Sequence, residues 1–361
     1  MDIAQLTIRS IRPRPVIVPL ARPIRTASGD VLEAPLVLID LETEEGINGR
    51  SYVFAYTPLC LSPIVHFIKG LAPELVGKLV APRARMRQME QRLKLVGWQG
   101  FAGMAVGGLD MALWDALARA ASAPLSSMLG AEPRSLPAYD SYGILDPVRD
   151  LPWLEDSASS GFKAVKIKIG AGDILDDVKI VSAARNAIGP DVRLMIDFNQ
   201  SQTTSSAIER AHRLSEFDLA WVEEPVSADD LHGHRIVRES IAPIPVQTGE
   251  NWWFPQGMAN AVAAGASDLA MIDIMKIGGV TGWISAMGQA EAASLPLSNH
   301  MFVEASAHTM VATPTASWFE YLDLAGPILT EPLLPINGCV LPRGPGSGLD
   351  WDEAAITRFA C

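Results

Sequence analysis

Eight short apolar runs, separated by helix-like stretches, constrain this chain more than any other feature. They occupy residues 136–139, 164–169, 193–198, 220–222, 245–248, 269–274, 296–298 and 318–322. Alternating strand and helix builds a parallel sheet, and eight such units imply an α/β fold of the (β/α)8 TIM-barrel type. A doubly wound sheet is the competing arrangement. It usually shows a glycine-rich turn after its first strand, and none comes after the first run here.

The chain has 361 residues, so a barrel of roughly 250 leaves room for a second unit. The first 130 or so residues mix strands and helices. Residues 8–20 read as extended, and residues 35–42 and 49–56 read as a hairpin around Glu44-Glu45-Gly46. Three helical stretches come next. The last, residues 104–121, carries Leu109, Leu113, Trp114 and Leu117 on one face. The final 40 or so residues are rich in proline and glycine and end in a short helix near 352–359.

A hydrophobic share of 48% with 19% charged residues suits a large buried core, not disorder. The net charge of −12, with no Lys/Arg-rich run, argues against nucleic acid or an anionic membrane as partner. Three scattered cysteines, Cys60, Cys339 and Cys361, form no disulfide or metal framework, and a cytoplasmic protein is expected. From Met1-Asp2-Ile3-Ala4 no signal peptide is expected, and charges interrupt every apolar run long enough to span a membrane.

The chemistry lies at the ends of the runs. Nearly every run ends in a group that binds a metal or moves a proton: Lys166 and Lys168, Asp197 and Asn199, Glu223, Glu250, Asp273, His300, and Glu320. A barrel gathers its strand C-termini into one mouth, so these groups converge. A single acidic residue at a strand end is more often a turn or cap residue. Three on successive strands, Asp197, Glu223 and Glu250, offer an all-oxygen set suited to a hard cation such as Mg2+. Glu224 should point away from Glu223, because side chains alternate along a strand, and reads as a carboxylate supporting the ligands from behind or serving the structure. Lys166 and Lys168 are two apart and face the interior, where each should lower the other's pKa. As a plainer alternative, they are structural lysines bridging carboxylates. Asp273 and His300 end neighbouring runs, an arrangement that fixes an imidazole tautomer. Glu320 is expected either to be protonated and donate to a developing carboxylate charge, or to form an ordinary ion pair with Lys166 or Lys276.

Abstracting the α-proton of a carboxylate requires stabilisation of the resulting enediolate charge, which a divalent metal supplies. The lysine strand is second and the histidine strand seventh, so the two bases face each other across the mouth. Two bases on opposite faces of one carbon permit racemisation. They also permit dehydration, if one face loses a proton and a β-hydroxyl leaves with acid assistance.

Taken together, the motifs Lys166-x-Lys168, Asp197-x-Asn199, Glu223-Glu224-Pro225, Gly249-Glu250-Asn251, Asp273 with Lys276-Ile277-Gly278-Gly279, Asn299-His300 and Trp318-Phe319-Glu320 resemble the mandelate racemase branch of the enolase superfamily. Residues 34–41, 54–58, 275–283 and 312–316 extend the resemblance over nearly the whole chain. It implies an N-terminal α+β capping domain (1–130), a barrel domain (131–325) and a C-terminal segment (326–361) returning to the cap. It further implies a homo-oligomer acting on a small carboxylate with Mg2+ held by Asp197, Glu223 and Glu250. Lys168 would then be the base for the S enantiomer, with Lys166 lowering its pKa. His300, oriented by Asp273, would serve the R enantiomer. Asn199 would meet the substrate hydroxyl, and Glu320 and Ser141 its carboxylate. The expected activity is a racemase of mandelate or a related aromatic 2-hydroxy acid or amide.

Two departures bear on substrate. Tyr142 stands where that branch has a histidine, and the capping loop, residues 22–32, is more polar through Arg25, Ser28 and Asp30. Ile24 and Val31 keep apolar character there and are the expected contacts to the distal group. An acid-sugar dehydratase using the same groups is the runner-up, against which Ile24, Val31, Met301 and Leu322 argue. A binding protein on an old enzyme scaffold would have lost ligands or a base that this chain keeps.

Overall fold

The computed structural model describes residues 5–26 and 29–361. The N-terminal tetrapeptide and Ser28 of the capping loop lie outside the described residues.

The chain opens with a three-stranded antiparallel sheet of β1 (Ile8–Thr26), β2 (Gly29–Thr43) and β3 (Asn48–Phe54). Two helices pack on it, α1 (Leu61–Leu75) and α3 (Phe101–Ala120); α2 (Pro82–Leu93) packs on α3, and the short α4 (Leu125–Met128) follows. By length and composition α3 could cross a membrane, yet it is largely buried in this fold as a core helix. Its glycines explain how closely it packs. A Cβ at Gly107 would stand 2.2 Å from the Met275 carbonyl oxygen, so α3 lies directly on the barrel. Beside it, buried Asp110 accepts from the Thr281 amide at 2.8 Å and the Thr281 hydroxyl at 2.6 Å.

The barrel strands are β4 (Leu136–Ile144), β5 (Ala164–Lys168), β6 (Arg193–Asp197), β7 (Leu219–Glu223), β8 (Val246–Thr248), β9 (Leu269–Asp273), β10 (Leu297–His300) and β11 (Phe319–Tyr321). They pair in parallel around the ring. The intervening helices are α5 (Leu151–Ser159), α6 (Ile174–Ile188), α7 (Thr204–Leu214), α8 (Leu231–Ile241), α9 (Phe254–Ala264), α10 (Gly279–Ala292) and α11 (Val303–Ala312). All eight runs read from the sequence are strands. After the eighth, a single 3-10 turn at Gly326–Ile328 stands where a barrel helix would come. The chain then pairs β12 (Cys339–Val340) with β4 and ends in α12 (Glu353–Phe359) against the capping sheet. Arg14 binds Glu353 at 2.6 Å there, and the Trp351 indole donates to Asp40 at 2.8 Å.

Between β10 and β11 the ring closes by unusual means. One isolated bridge joins Leu297 and Ala316. Above it the Asn299 side chain replaces the backbone ladder: its Nδ2 donates to the Glu320 carbonyl at 3.2 Å, and its Oδ1 accepts from the Glu320 amide at 2.9 Å.

Candidate active site

Strand register alone brings the polar residues together. Lys168 lies beside Asp197, Asp197 beside Glu223, and His300 beside Asp273. Their shared floor is a small cluster of Tyr139, Ala164, Met195 and Trp221. The Trp221 indole donates to Glu223 Oε2 at 3.1 Å, and Lys166 Nζ sits 5.4 Å from the Tyr139 ring centroid.

Asp197, Glu223 and Glu250 each offer an oxygen, and these atoms all lie within 4.8 Å of one another. All three side chains are buried. Glu250 Oε2 is buried without a hydrogen-bond partner among the described residues, although His300 Nε2 stands 3.4 Å away. Burial, with Asp197 and Glu250 alongside, pushes Glu223 above the usual carboxylate range despite Lys166. Around them Asp197, Glu223, Glu224, Glu250, Asp273 and Glu320 outnumber Lys166, Lys168, Lys276 and His300. A buried excess of negative charge with an orphaned oxygen fits a hard divalent cation held by oxygen ligands.

Lys166 is fully buried and donates to Glu223 at 2.5 Å, while Glu320 lies 2.8 Å from it. Lys168 pairs with Asp197. Here the sequence reading needs correcting. The neighbouring ammonium does lower Lys168, and burial opposes its charge. Asp197, Glu250 and Glu223 outweigh both, so Lys168 is raised, as is Lys166. The expected protonation of Glu320 is also reversed. Burial favours the neutral acid, but Lys166 and His300 bring Glu320 down to about 2. Its carboxylate also accepts from the Met301 amide at 2.9 Å and the Ser141 hydroxyl at 2.8 Å. Of the two readings of Glu320, the ion pair with Lys166 is the one present.

His300 Nδ1 is 2.8 Å from Asp273 Oδ2, which leaves Nε2 toward the cavity. Burial opposes its charge, but Glu250 and Asp273 raise it. Asp273 Oδ1 is itself held by the Met275 and Lys276 amides. Glu224 stands apart from the triad, behind Asn251. The strand ends at Glu223, and Glu224 takes φ 38°, a left-handed turn that keeps its side chain buried. It accepts from Asn251 at 2.8 Å, and Asn251 in turn accepts from Lys276 at 2.7 Å.

One cavity of about 820 Å3 collects these groups. Lys166, Lys168, Asn199, Glu250, His300, Glu320 and Ser141 line its base, with Tyr56 beside Lys276 there, and Ile24, Val31, Phe54 and Leu322 supply an apolar wall. Ile24 and Val31 face each other as register partners in the β1–β2 hairpin. The outer hairpin is fastened to the barrel by two ion pairs. Arg22 binds both oxygens of Asp140, at 2.6 and 3.0 Å, and Arg25 reaches Asp150 at 2.5 Å. The Arg22 guanidinium also stacks 4.2 Å from the Tyr142 ring centroid. The Tyr142 hydroxyl donates to Asp140 at 2.8 Å.

Sequence reasoning missed Tyr56, Asn251 and the Arg22 and Arg25 fastenings. Tyr56 and Asn251 lay inside quoted motifs and could have been found there. The arginines and their acids are more than a hundred residues apart, with no local signal.

Known proteins resemble this one throughout. Residues 8–130 match the mandelate racemase / muconate lactonizing enzyme N-terminal domain, and residues 153–355 the enolase C-terminal domain-like model. An enolase from Bradyrhizobium, crystallised with magnesium and mandelic acid, shares 49% identity at TM-score 0.96, covering 99% of both chains. The 3,6-anhydro-alpha-L-galactonate cycloisomerase of Streptomyces coelicolor is 32% identical over 92% of this chain and 93% of its own. The L-talarate/galactarate dehydratase of Salmonella typhimurium is 27% identical over 87% of this chain and 81% of its own. Both domains, in the same order and over almost the full length, make this chain a member of the mandelate racemase/muconate lactonizing enzyme family of the enolase superfamily.

Proposed function

We propose that this protein is a Mg2+-dependent racemase acting on the α-carbon of mandelate or a related aromatic 2-hydroxy acid or amide. One observation carries the reading. Lys168 and His300 line a single cavity from β5 and β10, with the carboxylate triad on the strands between them and an apolar outer wall above. The mandelic acid and magnesium in the Bradyrhizobium relative add support.

In this reading Asp197, Glu223 and Glu250 hold the cation, which when bound neutralises charge developing on the substrate carboxylate. With Asp197, Glu223 and Glu250 committed to a cation, those carboxylates would no longer hold Lys168 protonated, and Lys168 would be free to act as a base. Lys168 takes the α-proton of the S enantiomer, and His300 Nε2 returns one to the opposite face. For the R enantiomer the roles exchange. Asp273 keeps the His300 proton on Nδ1, so Nε2 is the atom that exchanges. Lys166 and Ser141 receive the carboxylate end, and Glu320, ion-paired with Lys166 at 2.8 Å, would donate to it only once protonated. Asn199 meets the hydroxyl.

The dehydratase alternative draws on the Salmonella relative and on the same two bases. A panel of 2-hydroxy acids in D2O, monitored by proton NMR and polarimetry, separates the two. Loss of the α-proton signal and of optical rotation with the acid intact is expected. Conversion to a 2-keto acid would instead assign a dehydratase.

A further inference from the structure

We propose that the cavity selects monocarboxylates and rejects dicarboxylates, because its outer half holds no cation for a second acid group. The proposal deepens the racemase reading and rests on it for the choice of aromatic probes.

The basic side chains lining the cavity, among the described residues, are Lys166, Lys168, Lys276 and His300, all near the base. Each is engaged. Lys166 is held between Glu223 and Glu320, Lys168 by Asp197, and His300 by Asp273. Lys276 donates to Asn251 at 2.7 Å, lies 4.8 Å from the Tyr56 ring centroid, and offsets buried Glu224 and Glu250.

The outer half is different. Ile24, Val31, Leu32, Phe54, Pro58 and Leu322 supply apolar walls, and the charged groups there are Asp30 and Glu33. The hairpin does carry two arginines within a few residues of Ile24, but neither lines the cavity. Arg22 is spent on Asp140 and Arg25 on Asp150. Ala27 and Ser28, which lie outside the described residues, carry no charge. A distal carboxylate would therefore meet apolar walls and two solvent-exposed carboxylates, with no cation there to pair with. Burying an unpaired charge is unfavourable, and like charges facing it add to the cost. A neutral distal group of the same size meets neither penalty.

Exchange of the α-proton in D2O tests this with the magnesium-loaded protein, using mandelate, 4-nitromandelate and 4-carboxymandelate. The nitro compound matches the carboxylate in shape but not charge. We expect kcat/KM for 4-carboxymandelate to fall at least about tenfold below 4-nitromandelate. Glu33→Lys should narrow that gap about threefold or more. A wild-type ratio within about threefold, or a gap unmoved by Glu33→Lys, would overturn the proposal. Galactonate and galactarate form a second pair. If no aromatic acid exchanges but galactonate is turned over in preference to galactarate, the racemase reading fails and the selectivity stands. Turnover of galactarate at or above galactonate overturns the selectivity whatever the aromatic acids do.

Discussion

The capping hairpin rests directly on Gly143: a Cβ at that position would stand 2.3 Å from the Arg25 nitrogen and 2.6 Å from its carbonyl oxygen. Close approach of two backbones, with no side chain between them, sets how deeply Ile24 enters the cavity. The ion pairs of Arg22 and Arg25 on either side hold it there.

Gly143→Ala should lift the hairpin and withdraw Ile24 and Val31 from the substrate. A displacement of about an ångström costs on the order of ten- to a hundredfold in kcat/KM. Mg2+ affinity, measured by calorimetry, should stay nearly unchanged, because the triad belongs to other strands. Replacing Ile24 with Asn should raise KM for aromatic acids without moving the metal affinity. An equal loss of metal binding in either variant would show that hairpin and triad are coupled.

The two bases can be separated by stereochemistry. His300→Asn should end racemisation in both directions, yet leave proton exchange for the S enantiomer, which faces Lys168. Lys168→Met should show the reverse. General-base losses of roughly 10²–10⁴-fold are readily measured. Persistence of racemisation at the wild-type rate in either variant would refute the assignment.

Stripping the metal with a chelator should abolish exchange, and Mg2+ should restore it. Because carboxylates outnumber bases in the site, bound Mg2+ should also stabilise the fold, by about 2.7 kcal/mol at a hundred times Kd. Thermal unfolding with and without Mg2+ reads this. Full activity in stripped protein would remove the metal from the mechanism.

A fourth expectation lies far from the cavity. Buried His308 accepts from the Ser126 amide at Nδ1, 3.1 Å, and donates from Nε2 to the Arg343 carbonyl, 2.9 Å. A second proton would have to enter at Nδ1, against an N–H. Burial accordingly lowers this group from 6.5 to about 4. With the folded value depressed, its contribution is full above pH 6.5 and is lost as pH falls toward 4. The total is on the order of 3 kcal/mol. His308→Gln, which keeps one donor and one acceptor, should flatten that part of the stability-against-pH curve. An unchanged slope in urea titrations across this range would locate the acid sensitivity elsewhere.

The strands and the groups at their ends were legible in the sequence because both obey local rules. Apolar runs mark buried strands, and a polar residue at the end of such a run stands out. Protonation was not legible. Lys166 and Lys168 sit two residues apart in the sequence, but Asp197, Glu223 and Glu320, from three other strands, decide their charge. The turn at Glu224 escaped for a related reason, since alternation holds only while the strand lasts. The shortened eighth unit was hidden by the proline- and glycine-rich tail, whose pairing with β4 and the capping sheet is non-local.

Closure of the barrel at Asn299 has a consequence for how this mouth can change over generations. Elsewhere in the ring, neighbouring strands are joined by backbone pairing, which substitution leaves largely intact. At this seam only one backbone bridge, Leu297 to Ala316, is present, and an amide side chain makes the rest of the joint, so a single codon governs that part. Asn299 precedes His300 and grips the peptide of Glu320. One substitution there would shift the spacing between those two groups while leaving both of them, and every metal ligand, untouched. A lineage can thus retune one wall of its reaction chamber without passing through an inactive ancestor that lacks a base.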